Sequence, residues 1–428
     1  MSSYECELWY TRQYTESLSF KGDPLRQGRH KIHPYPAMLH PLLVDYLLDK
    51  YADNNSVVLD PFSGSGVTLL QSGLKGYRSI GFDINPLALL ISKSKNTNYD
   101  LNLLQNDIQN VKKDIDKNDL TDVPNIKNID YWYSPSAQKS LGRIRYVLKN
   151  NLYNYSDLLI TCFALVCRNQ SYTRNGEFKR YRIEAEKLKD KKDESIKKFF
   201  ENLDAAFEII KKSGGFVESP LHFLDSVENI RKYDLKYDLI ITSPPYGDSR
   251  TTVAYGQFSS FALEWVNDLL GNFEIKYDID KQSIGRKRDI AEGLFDNYIL
   301  MDVLSHINSI DGVRCIDVLN FFNEYYIILK NILSDLPIGG TVCYIVGNRR
   351  VKGVEIPTDQ ITAEMMTNCG ITIQQILVRD ISNKVMPLSN SPSNQAGKKD
   401  KTMSYEYIII GKKDKHEISR RSEEAEKN

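Results

Sequence analysis

Residues 56–66 read SVVLDPFSGSG; VTLLQSGLKG follows at 67–76 and YRSIGFDIN at 77–85. A short β-branched run ends on Asp60, a glycine-rich turn follows, and helical spacing then gives way to a second strand-like run that ends on Asp83. Strand, turn, helix and strand make a βαβ unit with parallel strands. Gly64 and Gly66 permit a tight turn and a close approach of a ligand to the backbone, while the helix behind them offers its N-terminus to a carboxylate or phosphate. An acid placed as Asp83 is, at the end of the second strand, accepts hydrogen bonds from ribose hydroxyls, so a nucleoside-containing cofactor is implied.

Upstream, HPYPAMLHPLLVDYLLDKYA begins at His33 and predicts a helix from about Pro41 with one apolar face. Downstream, strand character returns at HFLD, which ends on Asp225, and at YDLIIT, then at TVCYIVG, ITIQQILVRD and SYEYIIIG. Helices are expected around FFNEYYIILKNIL and TDQITAEMM. Alternating strands and helices indicate an α/β fold whose mostly parallel sheet is covered on both faces. Ligands in such a sheet bind beyond the carboxyl ends of the strands, where Asp60, Asp83, Asp225 and the segment after YDLIIT all fall. Residues 101–215 break this pattern: they are polar and helical in character, with the charged stretch EAEKLKDKKDESIKK, and read as an insertion or subdomain. The charged end, 412–428, has no apolar periodicity and reads as disordered.

The 428 residues suffice for one large domain with insertions or two of ordinary size. With 56 basic and 56 acidic side chains, any nucleic-acid surface must come from local clustering, because the net charge supplies none. No run approaches the roughly 18 apolar residues of a membrane span, and the N-terminus has no basic segment followed by an apolar one. A cytoplasmic location is expected. Cys6, Cys162, Cys167, Cys315, Cys343 and Cys369 lack the close pairing of zinc sites, and His30, His33 and His40 have no acidic or thiol partner at ligand spacing. No metal site is expected.

The segment TSPPYGDS at 242–249 closes the strand YDLIIT. Two consecutive prolines remove two backbone N–H donors and leave carbonyl oxygens to be satisfied elsewhere. An exocyclic amino group offers two hydrogens, one for such a carbonyl and one for the Ser243 hydroxyl, and the Tyr246 ring supplies a face for a planar base. The plain alternative is a proline turn with Tyr246 in the core.

Together, DPFSGSG and TSPPY resemble the signature of the S-adenosylmethionine-dependent amino-methyltransferases of DNA, which methylate cytosine N4 or adenine N6. The resemblance covers the N-terminal 90 or so residues and the stretch from about 220 to 411, within the two halves of the domain expected at 1–100 and 216–411. It implies a Rossmann-like class I methyltransferase sheet, mostly parallel with a late antiparallel strand, interrupted by the helical insertion at 101–215, which is a candidate DNA-recognition subdomain. By position it assigns Asp60, Pro61, Phe62, Gly64 and Gly66 to the cofactor, Asp83 to its ribose and Asp225 to its adenine. HPYPAMLHP resembles the N-terminal cofactor element, with His33, Pro34 and Tyr35 closing over the methionine. Ser243, Pro244, Pro245 and Tyr246 form the catalytic loop that the family uses to hold a base extruded from double-stranded DNA.

A serine before the prolines resembles the cytosine-N4 branch, whereas adenine-N6 enzymes carry Asp or Asn there. Such enzymes imply a restriction-modification or related system, with a separately encoded restriction endonuclease as partner. Candidate contacts to the DNA or the base are Asp248, Arg250 and Tyr255 after the loop, Arg174, Lys179 and Arg180 in RNQSYTRNGEFKRYR, and Arg286 and Arg288 in SIGRKRD. Solvated charge on a loop is the plain alternative for each. Methylation of adenine N6 or of an RNA base, and a DNA-recognition subunit without catalysis, stay open. A nicotinamide dehydrogenase does not fit, since the turn lacks the third glycine of its fingerprint.

Overall fold

The computed structural model describes residues 9–174, 178–189, 191–223, 235–246, 253–270, 279–282, 284–285, 297–381, 389–390, 400–401 and 403–414. Asp225, Asp248, Arg250, Arg286 and Arg288 lie outside the described residues, as does the chain from 415. Strands are β1 (Arg12–Tyr14), β2 (Val57–Asp60), β3 (Arg78–Asp83), β4 (Leu221–Phe223), β5 (Leu239–Thr242), β6 (Thr341–Val346), β7 (Arg349–Val351), β8 (Val354–Ile356), β9 (Ile371–Asp380), β10 (Ser389–Asn390), β11 (Asp400–Lys401) and β12 (Tyr405–Lys413). The helices, in chain order, are α1 (Pro41–Tyr51), α2 (Val67–Leu74), α3 (Pro86–Lys95), α4 (Leu101–Lys117), α5 (Ile129–Trp132), α6 (Pro135–Asn150) and α7 (Ser156–Gln170). They continue with α8 (Ala185–Leu188), α9 (Ser195–Lys212), α10 (Tyr255–Val266), α11 (Ile279–Gln282), α12 (Tyr298–Ile310), α13 (Gly312–Ser334) and α14 (Thr358–Asn368).

Eight strands form one sheet in the order β1-β9-β12-β6-β5-β2-β3-β4. All neighbours are parallel except β12, which runs antiparallel to both β6 and β9. The chain moves outward from β2 through β3 to β4, then returns to the other side of β2 to lay down β5 and β6. That reversal puts a crevice at the carboxyl ends of β2 and β5. This is the Rossmann-like sheet with a late antiparallel strand that the family resemblance implied, and the mostly parallel sheet that the run of strands indicated.

Burial on both faces explains why these strands read as continuous apolar runs. Leu59, Ile240, Val342, Tyr344, Ile376 and Ile409 point into one hydrophobic cluster with α12, α13 and α14. Their neighbours Val58, Leu239, Ile241, Cys343, Leu377 and Ile408 pack on the opposite face against α1. The helices of the 101–215 segment do not form a core of their own. Leu104, Leu141, Leu159, Phe163 and Leu203 share one cluster with Leu87 and Ile91 of α3 and with Phe261 and Trp265 of α10.

Two features lay below the resolution of the sequence pattern. Strand β1, with the polar sequence RQY, adds itself parallel to the edge strand β9. It is held by Arg12, whose Nε and Nη2 donate to the two carboxylate oxygens of fully buried Asp359 at 2.7 and 2.8 Å. Strand β12 also runs past residue 411 through Lys413, whose buried ammonium donates to the carbonyls of Leu333 and Cys369 at 2.9 and 3.0 Å. Replacing Arg12 with Ala leaves the Asp359 carboxylate buried without its cation, so a loss of about 3 kcal/mol of stability is expected. Chemical denaturation of the variant against the parent checks it.

Candidate active site

The crevice is built from three short turns. Asp60, at the end of β2, is buried, and its Oδ1 accepts from the Thr242 hydroxyl at 2.6 Å and from the Phe62 amide at 3.1 Å. The turn after β2 is pinned to β3, because the Ser63 amide and hydroxyl both donate to the Phe82 carbonyl, at 2.9 and 3.1 Å. Asp83 closes the arrangement: its Oδ2 accepts from the Gly64 amide at 2.9 Å and its Oδ1 from the Asn85 amide at 2.7 Å. A carboxylate that accepts from two backbone amides is fixed in orientation, with lone pairs to spare for a further donor.

Burial raises the pKa of both acids. Desolvation pushes Asp60 up to about 6 against the hydrogen bonds from Thr242, Thr68 and Phe62. It pushes Asp83 up to about 6 as well, with the nearby Asp60 charge adding to the shift and the amides of Asn85 and Gly64 opposing it.

An open cleft lies above these acids, with about 890 Å³ of space between its walls and the solvent it opens to. Of the residues singled out in the sequence, Tyr35, Asp60, Pro61, Phe62, Gly64, Asp83, Ser243, Pro245 and Tyr255 line it. Ser243 follows Thr242 directly, so the Thr242–Asp60 bond fixes the catalytic-loop serine next to the glycine-rich turn. Tyr35 and Tyr255 stack with centroids 6.0 Å apart and form one wall.

Other expected residues are placed elsewhere. His33 is buried away from the lining, its Nδ1 2.6 Å from the Pro34 carbonyl, and burial together with Lys95 and Arg168 pushes its pKa down to about 3. Pro34 does not line the cleft either. Gly66 caps α2 at φ +76, and a Cβ there would lie 2.1 Å from Ser92 Oγ, so this glycine serves the packing of α2 on α3 rather than the cleft. Pro244 is buried behind the lining. Tyr246 turns its ring toward Gly347, where a Cβ would lie 2.8 Å from Tyr246 Cδ2, and its hydroxyl back to Ser243.

Among the basic candidates, Arg180 is already engaged: its guanidinium lies over the Phe261 ring at 4.0 Å and 2.7 Å from Glu264. Arg174 is exposed and 3.6 Å from Glu184. Lys179 is exposed and makes no ion pair among the described residues.

Sequence reading missed two residues of the site. Asn85 caps α3 through its Oδ1 and donates from Nδ2 to the Tyr35 hydroxyl at 3.0 Å and to Ser259 at 2.7 Å, which joins the wall of the cleft to α10. The signal available was Asn-Pro at a helix start, legible as a cap but not as a tie to Tyr35. Ser65 lines the cleft with a buried hydroxyl that has no partner among the described residues.

Comparison with known proteins decides the family. Residues 7–94 match the model of the N6 and N4 DNA methylases. The type II methyltransferase M.MvaI of Kocuria varians is 30% identical over 432 residues, spanning 92% of this chain and 93% of that relative. The chain belongs to the DNA amino-methyltransferases. A second member, the type II methyltransferase M.MjaII of Methanocaldococcus jannaschii, is 31% identical over 45% of this methyltransferase and 41% of its own length. Among solved structures, TrmN from Thermus thermophilus aligns over 88% of this chain and 49% of its own at 10% identity, with a TM-score of 0.32. The fold of this methyltransferase rests on its own strand order.

The cofactor is S-adenosylmethionine, and the residues present fit it. The unpartnered Ser65 hydroxyl at the start of α2 suits a carboxylate, and the spare lone pairs of Asp83 suit vicinal hydroxyls. The placement of Gly66 yields a direct test. Gly66→Ala, strained at φ +76 and overlapping Ser92, is expected to cost about 2 kcal/mol of stability while the folded fraction keeps its cofactor affinity. Thermal unfolding together with calorimetric titration of cofactor separates the two effects.

Proposed function

We propose that this DNA methyltransferase acts on the exocyclic N4 of cytosine in double-stranded DNA. The observation that carries the reading is Ser243, which lines the cleft within the same hydrogen-bonded frame as Asp60 and stands where adenine-N6 enzymes carry Asp or Asn. When bound, S-adenosylmethionine supplies an electrophilic methyl group. Asp83 accepts hydrogen bonds from its ribose, Ser65 and the amide end of α2 meet its carboxylate, and Tyr35, Phe62 and Tyr255 give it an apolar wall.

The amino nitrogen of cytosine is a weak nucleophile because its lone pair is delocalised into the ring. Ser243 Oγ takes one amino hydrogen and a carbonyl of the proline loop takes the other, which draws the nitrogen toward tetrahedral geometry and frees the lone pair. No enzyme nucleophile is required. The base reaches the cleft only if it leaves the duplex, and the exposed Lys179 and Arg174 supply phosphate contacts for the DNA that remains. The shared type II description of the two relatives supports a restriction-modification setting with a separately encoded endonuclease. It is also consistent with a cytoplasmic enzyme; among the described residues no helix is long and apolar enough to cross a membrane.

Two measurements test this reading. DNA from a methylation-free host that expresses the protein, digested to nucleosides, is expected to contain N4-methylcytosine; N6-methyladenine in its place would move the activity to adenine. Ser243→Ala is expected to lower kcat about 100-fold or more by removing one acceptor of the reacting amino group.

A further measurement concerns Asp83, which binds hydroxyl donors best as the carboxylate. Because burial sets its pKa at about 6, cofactor affinity should hold above pH 6 and fall below it, approaching a tenfold loss per pH unit. Asp83→Asn should weaken binding and flatten that dependence, as calorimetry from pH 7.5 down to 5 would show.

A further inference from the structure

Ser243 is not alone at the mouth of the cleft. Its Oγ lies 2.8 Å from the Tyr246 hydroxyl, which donates in turn to Glu406 Oε1 at 3.4 Å. The other oxygen, Glu406 Oε2, accepts from both Nε and Nη2 of Arg379, at 2.9 and 2.6 Å. Arg379 and Glu406 are directly opposed residues of β9 and β12, both largely buried, and Arg379 is fixed further by donating from Nη1 to the Leu18 carbonyl at 3.0 Å. A rigid, buried cation-carboxylate pair therefore stands behind two hydroxyls that lead to the cleft.

Hydroxyls are ambivalent: each donates one hydrogen and accepts others, so a chain of two can point either way. An ionised carboxylate only accepts. Placed at one end, it forces the Tyr246 hydrogen toward itself, leaves the Tyr246 oxygen to accept from Ser243, and turns the lone pairs of Ser243 toward the cleft. Burial, with the charge of Glu406 adding to it, keeps the Tyr246 phenol well above its ordinary range, so the ring stays a donor.

We propose that Glu406, held by Arg379, is a positioning residue that sets the polarity of the Ser243–Tyr246 hydroxyl pair and so makes Ser243 an acceptor for the reacting amino group. The inference rests on the reading of Ser243 as that acceptor and adds the reason for its orientation.

Glu406→Gln is the decisive variant because Arg379 dictates how the amide sits. The two Arg379 donors hold the amide oxygen, so the amide NH2 faces Tyr246 and the chain reverses: Tyr246 accepts from Gln and donates to Ser243, which then presents its own hydrogen to the cleft. The expected result is a kcat lowered about tenfold to a hundredfold, with the cofactor Kd of the folded enzyme, measured by calorimetry, close to that of the parent and a lowered Tm, because Arg379 loses its counter-ion. Tyr246→Phe cuts the chain without reversing it and should lower kcat only about threefold to tenfold.

The double variant should return to the Tyr246→Phe level, so that a second lesion restores activity lost to the first. Additive losses, or a Glu406→Gln enzyme with parental kcat, would overturn the proposal. Should Glu406→Gln not fold, Tyr246→Phe decides alone: it leaves the Arg379–Glu406 pair intact, and an unchanged kcat overturns the proposal. If the parent enzyme itself methylates no amino group on DNA, it is the functional reading that fails. A parent that methylates, combined with no restoration in the double variant, isolates failure of the polarity argument.

Discussion

One hydrogen bond holds the site together: the Thr242 hydroxyl donates to Asp60 Oδ1 at 2.6 Å across the point where the sheet reverses direction. The two residues lie far apart in the chain, one closing β2 and the other closing β5, and each opens a functional turn. Bonded, they fix the distance between the glycine-rich turn and the proline loop. A methyl donor and a methyl acceptor must meet in a near-attack arrangement, so a fixed separation of their two binding turns does part of the catalytic work before either ligand arrives. The bond has a cost. Asp60 is buried with a pKa of about 6, so at neutral pH it is ionised against its surroundings, and the hydroxyl and amide donors around it offset that penalty only in part.

What the sequence disclosed follows from which interactions are local. Strands β2, β5 and β6, with the stretches 376–378 of β9 and 407–410 of β12, were legible because burial on both faces makes each a continuous apolar run. The turn residues were legible because glycine, aspartate and proline act on their own backbone within a few positions. Strand β1 left no trace: its three residues are polar, and it is held by pairing with β9 and by the reach of Arg12 to Asp359. Glu406 was read as a strand residue in SYEYIIIG, and nothing within that segment says that Arg379 stands opposite it. Gly66 shows the converse failure. A glycine needed for a turn and one needed for helix packing look the same in sequence, and only Ser92 beside it tells them apart.

The charged segment between 168 and 182 illustrates why basic clusters are weak evidence for nucleic acid. Arg180 and Arg182 look alike in the sequence as candidates for phosphate contact, yet Arg180 is spent on Glu264 and Phe261, and Arg182 lies over the Tyr131 ring at 4.2 Å. Both hold the segment against the helices beneath it. Lys179, directly before the tethered Arg180, is exposed to solvent. A charge so placed meets a phosphate with less conformational entropy to lose than one on a free loop.

The helical layer is structural support for the cleft, whatever surface reads the DNA. Its helices α4, α6, α7 and α9 cover α3 and α10 in one continuous hydrophobic cluster. Helix α3 begins at Asn85, which holds Tyr35, and α10 begins at Tyr255, which stacks on Tyr35. The aromatic wall of the cofactor cleft thus stands on helices whose outer faces are buried by the segment from 101 to 215. Stripped of that cover, α3 and α10 would expose Leu87, Ile91, Phe261 and Trp265 to water, and the aromatic wall would lose the packing that fixes its spacing. Sequence between the two halves of the sheet, which reads as an addition to the fold, is part of what makes the cleft rigid.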